Sequence, residues 1–564
     1  MIRKPVGVAL SSLLAGAMLI LAGGPALAAP MPDSGPVTGG TAVELTAPAM
    51  DVTFTQVSAG NGFSVALGSD GNAYAWGAND YGTLGDGTTT PQSIPVQVHA
   101  PQGVTFTSVS AGYLYALALG SDGSIYTWGR NNFGQLGDGS TTDSLVPVKV
   151  QGPAGVTFSQ LSAGDMQALA IGSDGNTYAW GANGNGQLGD GTTTPRSTPT
   201  PVILPSGVSF TTVAAGDGLS MALGSNGLTY AWGRNSQGEL GNGTNVDSSL
   251  PVRVLTPVGV TFSSISVGNL FAVAIGSDGK LYSWGDNSSG RLGDGTETDR
   301  STPGPVSVPA GLTFRTVSAG VWHTLAIATD GSTFGWGRNF HGYIGDGTID
   351  DRFTPVRVTD PAMTTFAQVV AGDNHSLALG LDGQTYSWGA NSFGELGDGT
   401  VSPRRAAGLA LPPETVVTAV TFDGLPGASL IETSPGIWQV STPAHAAGPV
   451  DVVLEWTFGG VAQTPIIYTS GFVYTDLPVN PPIIDPPATP GTPATPGDPT
   501  TPGSAPASGG STGADAAPAV SATSAEQLAT TGEPWPTGLL VLSVGLVALG
   551  MVLSLRRAAT VRRR

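Results

Sequence analysis

No cysteine occurs in the 564 residues, which excludes disulfides, thiolate metal sites and a cysteine nucleophile together. That absence is compatible with export, because a chain with a large enough core needs no covalent staples. Charge is scarce as well, at 11% of residues, and the basic sign is the scarcer: 21 Lys and Arg against 40 Asp and Glu, a net charge of −19. A field of that sign repels phosphate, which a nucleic-acid binder would attract with clustered Lys and Arg. No nucleic-acid partner is therefore expected. There is no H-E-x-x-H pair and no phosphate-cradling loop opening a helix. The five histidines offer no ligand set with metal spacing, so neither enzyme activity nor a cofactor nor a metal is expected. What the chain has in quantity is glycine, 84 residues, and proline, 44 residues, a composition suited to an all-β protein full of turns.

The two ends read as addresses. Arg3 and Lys4 precede the apolar run VGVALSSLLAGAMLILAGG and then Ala26, Leu27 and Ala28, a small-x-small site with cleavage before Ala29. Residues 1–28 are thus expected to be a signal peptide. At the other end residues 528–564 run LATTG, an apolar stretch over 538–555, and an Arg-rich tail. Eighteen apolar residues make a helix of roughly 27 Å, enough for a single transmembrane span with the arginines cytoplasmic. Leu528, Ala529, Thr530, Thr531 and Gly532 resemble the cell-wall sorting signal read by sortases, in its LAxTG variant. The resemblance implies cleavage between Thr531 and Gly532, covalent linkage to peptidoglycan, and location on the wall of a high-GC Gram-positive bacterium. The alternative is a permanent membrane anchor through the same helix. Residues 477–527 are a Pro, Thr, Gly, Ala and Ser tract too poor in large apolar residues to order itself. As an extended disordered spacer its 51 residues reach roughly 150 Å.

Between these ends tryptophan recurs every 52 residues, at Trp76, Trp128, Trp180, Trp232, Trp284, Trp336 and Trp388. The text around it repeats too, as in YAWGANDYGTLGDGT and YTWGRNNFGQLGDGS. Each unit reads as four short strands: VTFTSVSAG, then YALALG and IYTWG joined by an Asp-Gly hairpin, then a short strand at PVKV. Seven such units cannot bury both faces alone and are expected to close into a seven-bladed β-propeller over 51–411. The WGxNxxGQLGDG core resembles the regulator of chromosome condensation repeat, which implies the same propeller. Ring closure in such folds usually borrows a strand from the far end of the chain. Two candidates are present, TAVEL at 41–45 within a lead of residues 29–50, and the segment 408–411. Residues 412–476 lose the repeat but keep alternating β segments, so a small immunoglobulin-like sandwich is expected there, and TPAHAAGPVDVVL with the closing FVYT resembles a TIG-type domain.

The repeated carboxylates Asp86, Asp138, Asp190, Asp294, Asp346 and Asp398 have Asn242 as their counterpart in the fourth unit. An Asx between glycines makes a turn, so this ring is read as structural. His323 and His375 occupy one equivalent slot in successive repeats and are read as packing. Recognition is placed instead where the frame is constant and the residues vary, in the three positions after each Ala-Gly or Val-Gly. Tyr113, Tyr115, Met166, Leu270, Trp322 and Asn374 are the candidate partner-binding residues, the aromatic ones as anchors. The leading functional expectation is a wall-anchored binding or adhesion scaffold for a protein or polysaccharide ligand. Two alternatives stand beside it. Resemblance to secreted propellers that clamp β-lactamases implies an enzyme inhibitor, and resemblance to the eukaryotic founder of the family implies guanine-nucleotide exchange.

Overall fold

A computed structural model describes residues 28–47, 52–359, 361 and 364–476. Most of the signal segment including Ala26, the spacer, the LATTG motif and the apolar stretch of 538–555 lie outside the described residues. Among the described residues no helix is long and apolar enough to cross a membrane.

Seven four-stranded antiparallel sheets follow one another along the chain, each built from one repeat. In the first, Phe54–Ala59, Phe63–Gly68, Ala73–Gly77 and Gln92–Gln97 form a simple meander. The second and third strands of this blade are buried at every position. Neighbouring blades press on both of their faces, which is why FSVALG and AYAWG are nearly unbroken apolar runs in which alanine leaves room for close approach. The first strand ends at the axis, where Ala59 and its counterparts from Ala111 to Ala371 line a small central cavity.

The repeated tryptophan is the joint between blades. All seven indoles are fully buried. Trp128 Nε1 donates to Thr83 O at 2.9 Å, Trp232 Nε1 to Gln187 O at 2.9 Å and Trp336 Nε1 to Arg291 O at 3.0 Å, each reaching into the preceding blade. The glycine of the LG pair seats the ring. Gly397 has φ +68°, and a Cβ there would stand 2.7 Å from Trp76 Nε1; only glycine satisfies both conditions.

Closure uses this same joint and no exchanged strand. Trp76 Nε1 donates to Glu395 O in the seventh blade, Gln368 brackets Val57 with bonds to its N–H and carbonyl at 3.2 and 3.1 Å, and His375 Nε2 lies 2.8 Å from Ser64 Oγ. The expectation for TAVEL is corrected: Ala42–Thr46 pairs with Ile437–Ser441, away from the ring. Arg404–Leu409 is simply the fourth strand of the seventh blade, paired with Thr385–Gly389.

The sandwich is consequently discontinuous in sequence. One sheet orders Ser34–Pro36, Ile466–Thr475, Gly448–Phe458, Thr415–Phe422 and Leu425–Pro426; the other orders Ala42–Thr46, Ile437–Ser441 and Ala428–Ser434. The N-terminal lead thus gives one strand to each sheet, and its Val43 and Leu45 join Phe422, Val440, Leu454 and Phe472 in the shared core. The sandwich draws on residues ahead of 412 as well, which the sequence did not reveal because alternation in TAVEL fits any half-buried strand and does not say which sheet receives it. The sandwich seats on the first blade: Gln97 N donates to Gly459 O at 2.8 Å, and the Tyr74 and Phe458 rings meet edge to face at 6.1 Å.

Candidate functional site

Each blade sends two loops to one face of the ring, the three-residue turn after the first strand and the long WGxNxxGxLGDG loop after the third. The long loop is frozen by its asparagine. Asn79 Oδ1 accepts from Leu84 N at 3.0 Å while its Nδ2 donates to Thr88 O and Thr90 O at 3.1 Å, and Asn183 and Asn287 do the same in their repeats. Asp86 accepts from Thr88 N at 2.9 Å, and Asn242 accepts from Thr244 N at 3.0 Å in the equivalent turn. An amide and a carboxylate serve alike there, as an Asx turn requires. Asp70 and its hairpin counterparts on the opposite face cap Asn72 N at 3.0 Å and Tyr74 OH at 2.6 Å.

His323 and His375 are fully buried between blades. His323 Nε2 lies 2.8 Å from Ser376 Oγ, and burial holds both imidazoles neutral, with pKa values lowered to about 3.

The six candidate residues separate. Tyr115 is a correction: it lies in the strand Tyr115–Gly120, fully buried, its hydroxyl donating to Gln167 O in the next blade. The first side chain of this second strand points between blades, so it is a joint and no contact for a partner. Tyr113, Met166, Leu270, Trp322 and Asn374 are half-buried in the turns, Leu270 with φ 67°. Tyr113 lines the axial cavity, and only Trp322 and Asn374 share a groove.

That groove, of about 390 Å³, runs over blades six, seven and one. Its other walls are residues that the three-residue turns did not reveal, chiefly Arg338, Phe340, His341 and Phe393. All four come from the long loop. The position before the glycine of xGxLGDG is Tyr81, Phe133, His341 or Phe393 in blades one, two, six and seven, and Asn185, Gln237 or Ser289 in blades three to five. Because blade seven abuts blade one, these four rings fall on consecutive blades, an arc over six, seven, one and two. Phe340 is 59% exposed, Phe393 47% and Phe133 37%, an uncommon clustering of free aromatic surface. Guanidiniums lie on it: Arg338 stands 4.8 Å over the Trp322 ring and 5.9 Å over Phe340, Arg291 5.1 Å over Trp322, and Arg130 5.0 Å over Tyr81. Arg291 is 2% exposed and donates to the carbonyls of Asn269 and Val321 at 3.1 and 3.2 Å, tying the groove to the axial rim.

The axial rim itself is acidic. Asn61 Nδ2 donates to Asp373 Oδ2 at 2.6 Å and Asn269 Nδ2 to Asp217 Oδ2 at 3.1 Å. Burial, and the neighbouring Asp373 and Asp217, hold the Asp165 carboxyl well above its ordinary range. Burial likewise raises Asp373 to about 6. Among the described residues no group of three His, Cys, Asp or Glu is arranged to hold a metal ion.

A ring of seven four-stranded blades carrying variable loops and aromatic side chains on one face defines a β-propeller scaffold. Comparison with known proteins gives its family. The RCC1-like domain model matches residues 203–437, and the regulator of chromosome condensation (RCC1) repeat model matches 70–119, 122–171 and 174–223. The chain is 32% identical over 412 residues to the ultraviolet-B receptor UVR8 of Arabidopsis thaliana, covering 72% of this chain and 92% of that protein. It belongs to the RCC1 repeat family. Human HERC2, an E3 ubiquitin-protein ligase, is 32% identical over 275 residues, 48% of this chain but 6% of that protein. The structure of yeast RCC1 (Prp20) bound to Kap60 superposes with a TM-score of 0.55 at 22% identity, over 65% of this chain and 88% of that one. It shows the shared fold. At the family level the chain is a propeller scaffold of the protein-binding, mostly non-enzymatic kind.

Proposed function

We propose that this chain is a surface-displayed binding scaffold that recognises a macromolecular partner, a protein, on the loop face of its propeller. The observation that carries the reading is the groove where Trp322, Arg338, Phe340, His341 and Phe393 converge from adjacent blades. Aromatic and arginine side chains dominate the energetics of protein interfaces, and here they sit on loops locked by buried asparagines, so little ordering cost remains for binding. Display is supported by the sequence at both ends: a cleavable leader, a Pro-rich spacer, and LATTG followed by an apolar stretch and arginines. In this reading the TIG-like sandwich is the stalk module between propeller and spacer.

The test is capture from intact cells carrying the full chain. Cross-linking to added host extracellular proteins should give a defined adduct with the natural chain, and Phe340→Ala with Phe393→Ala should abolish it at equal surface abundance. An adduct that survives both substitutions would place recognition elsewhere.

A further inference from the structure

The chemistry of the groove is lopsided, and the imbalance narrows the occupant. Three arginines near this face are neutralised within their own loops: Arg196 meets Asp190 at 2.7 Å, Arg352 meets Asp346 at 2.7 Å, and Arg404 pairs with Asp398. Arg338 differs. Among the described residues its guanidinium has no carboxylate partner and is held only against the Trp322 and Phe340 rings. A guanidinium is a planar fork of N–H donors whose geometry fits a carboxylate through two parallel bonds, and here that fork is unspent. Arg291 lies against the same indole, but Asp286 stands 3.9 Å from its Nε and it donates to the carbonyls of Ser288, Asn269 and Val321. Its charge is offset by Asp286, so Arg338 carries the unpaired positive charge of the groove. Glu395, which also lines the groove, is committed to Phe393 N at 2.8 Å and is nearly fully buried.

The exposed phenyl rings of Phe340 and Phe393 line the same groove, together with Asn61 and Asn374. The Trp322 indole already carries two guanidiniums, and the free rings are phenyls without a hydroxyl, which suits aliphatic or aromatic side chains better than a sugar. The whole-chain charge of −19 disfavours a polyanion while leaving one local site for one negative group. A volume of about 390 Å³ accommodates about two or three side chains.

We infer that the groove binds a segment of the partner protein that sets one aspartate or glutamate carboxylate on Arg338, with apolar neighbours seated on Phe340 and Phe393. This rests on the loop face being the binding face. The probe is a phage-displayed random peptide library panned against the full-length protein in detergent. Enriched peptides should share an acidic residue flanked by apolar ones. For a synthetic peptide made from that consensus, replacing the acid by its amide and replacing Arg338→Gln should each weaken binding about tenfold or more, and the two changes together little further. Arg338→Lys should recover part of the loss, because it keeps charge and loses the fork; Arg253→Gln, on an exposed strand end, should change nothing.

Peptides lost on Phe340→Ala but indifferent to Arg338→Gln would overturn the carboxylate assignment and leave the binding face standing. If no selected peptide depends on Phe340 or Phe393, the binding face falls as well. Self-association of the chain that is abolished by Arg338→Gln would make the occupant a second copy and refute the proposal.

Discussion

Trp76 in the first blade donates its indole N–H to the carbonyl of Glu395 in the seventh, at 2.9 Å and 319 residues away in sequence. The seam of the ring is therefore chemically the same as the joints inside it, where Trp232 meets Gln187 O at the same distance. Trp76→Phe removes one of the two donors to this carbonyl, Ser64 Oγ at 2.9 Å being the other, and leaves a gap where the indole packed, together expected to cost about 1–3 kcal/mol. Trp232→Phe should cost a similar amount. Urea unfolding of the two variants is the check, and a much larger effect at Trp76 would indicate a seam weaker than the internal joints.

Deleting residues 31–46 removes one strand from each sheet of the sandwich and uncovers the core beside Phe422 and Phe472. Limited proteolysis should then cut within residues 412–476 while the propeller stays resistant, since no blade borrows a strand from the lead. Cleavage spreading into the first or seventh blade would contradict this division.

The axial carboxylates give a pH dependence whose sign follows from their environment. Asp165 and Asp373 have pKa values raised first by burial and then by neighbouring carboxylates, Asp373 and Asp217 for the one and Asp217 for the other, Asp373 to about 6. The folded state thus holds protons that the unfolded chain releases, and stability from this source falls as pH rises from about 4 through about 6. His323 and His375 act oppositely: lowered to about 3, they remove stability as pH falls below about 6.5. Comparing variants with the natural chain separates the two. Asp165→Asn and Asp373→Asn should raise the Tm at pH 7 and change it little at pH 4; a lower Tm at pH 7 would show that the carboxylates are stabilising when charged.

For display, Leu528→Ala with Thr531→Ala should move the protein from the covalent wall fraction to the membrane fraction. Wall linkage that persists in the double variant would rule out the LATTG motif as its signal.

Much of the scaffold was legible in the sequence because its determinants are local. The 52-residue tryptophan period, the Asp-Gly hairpins and the Asx turns each specify structure within one repeat. The strand of residues 42–46 was not legible, since its alternation Val43, Leu45 matches a propeller edge as well as a sandwich edge and only the partner Ile437–Ser441 decides. Tyr115 misled because the turn ends one residue earlier than the variable triplet does, at the start of Tyr115–Gly120. The groove was legible only in part. Trp322 and Asn374 stood out by variation, but Arg338 reaches Trp322 from the other loop of the same blade, and Phe393 reaches Gly62 across the ring seam. The available signal was the aromatic bias at Tyr81, Phe133, His341 and Phe393 within an otherwise constant loop.

The central claim, that the loop face is where a partner binds, is tested most directly by site-specific photo-cross-linking on intact cells. A benzoylphenylalanine placed at Phe340 on the groove, and another at Asn226 on the exposed hairpin of the opposite face, would be irradiated with host extracellular proteins present. The expected result is one discrete adduct from position 340 and none from position 226. A discrete adduct from 226 with none from 340 would contradict it.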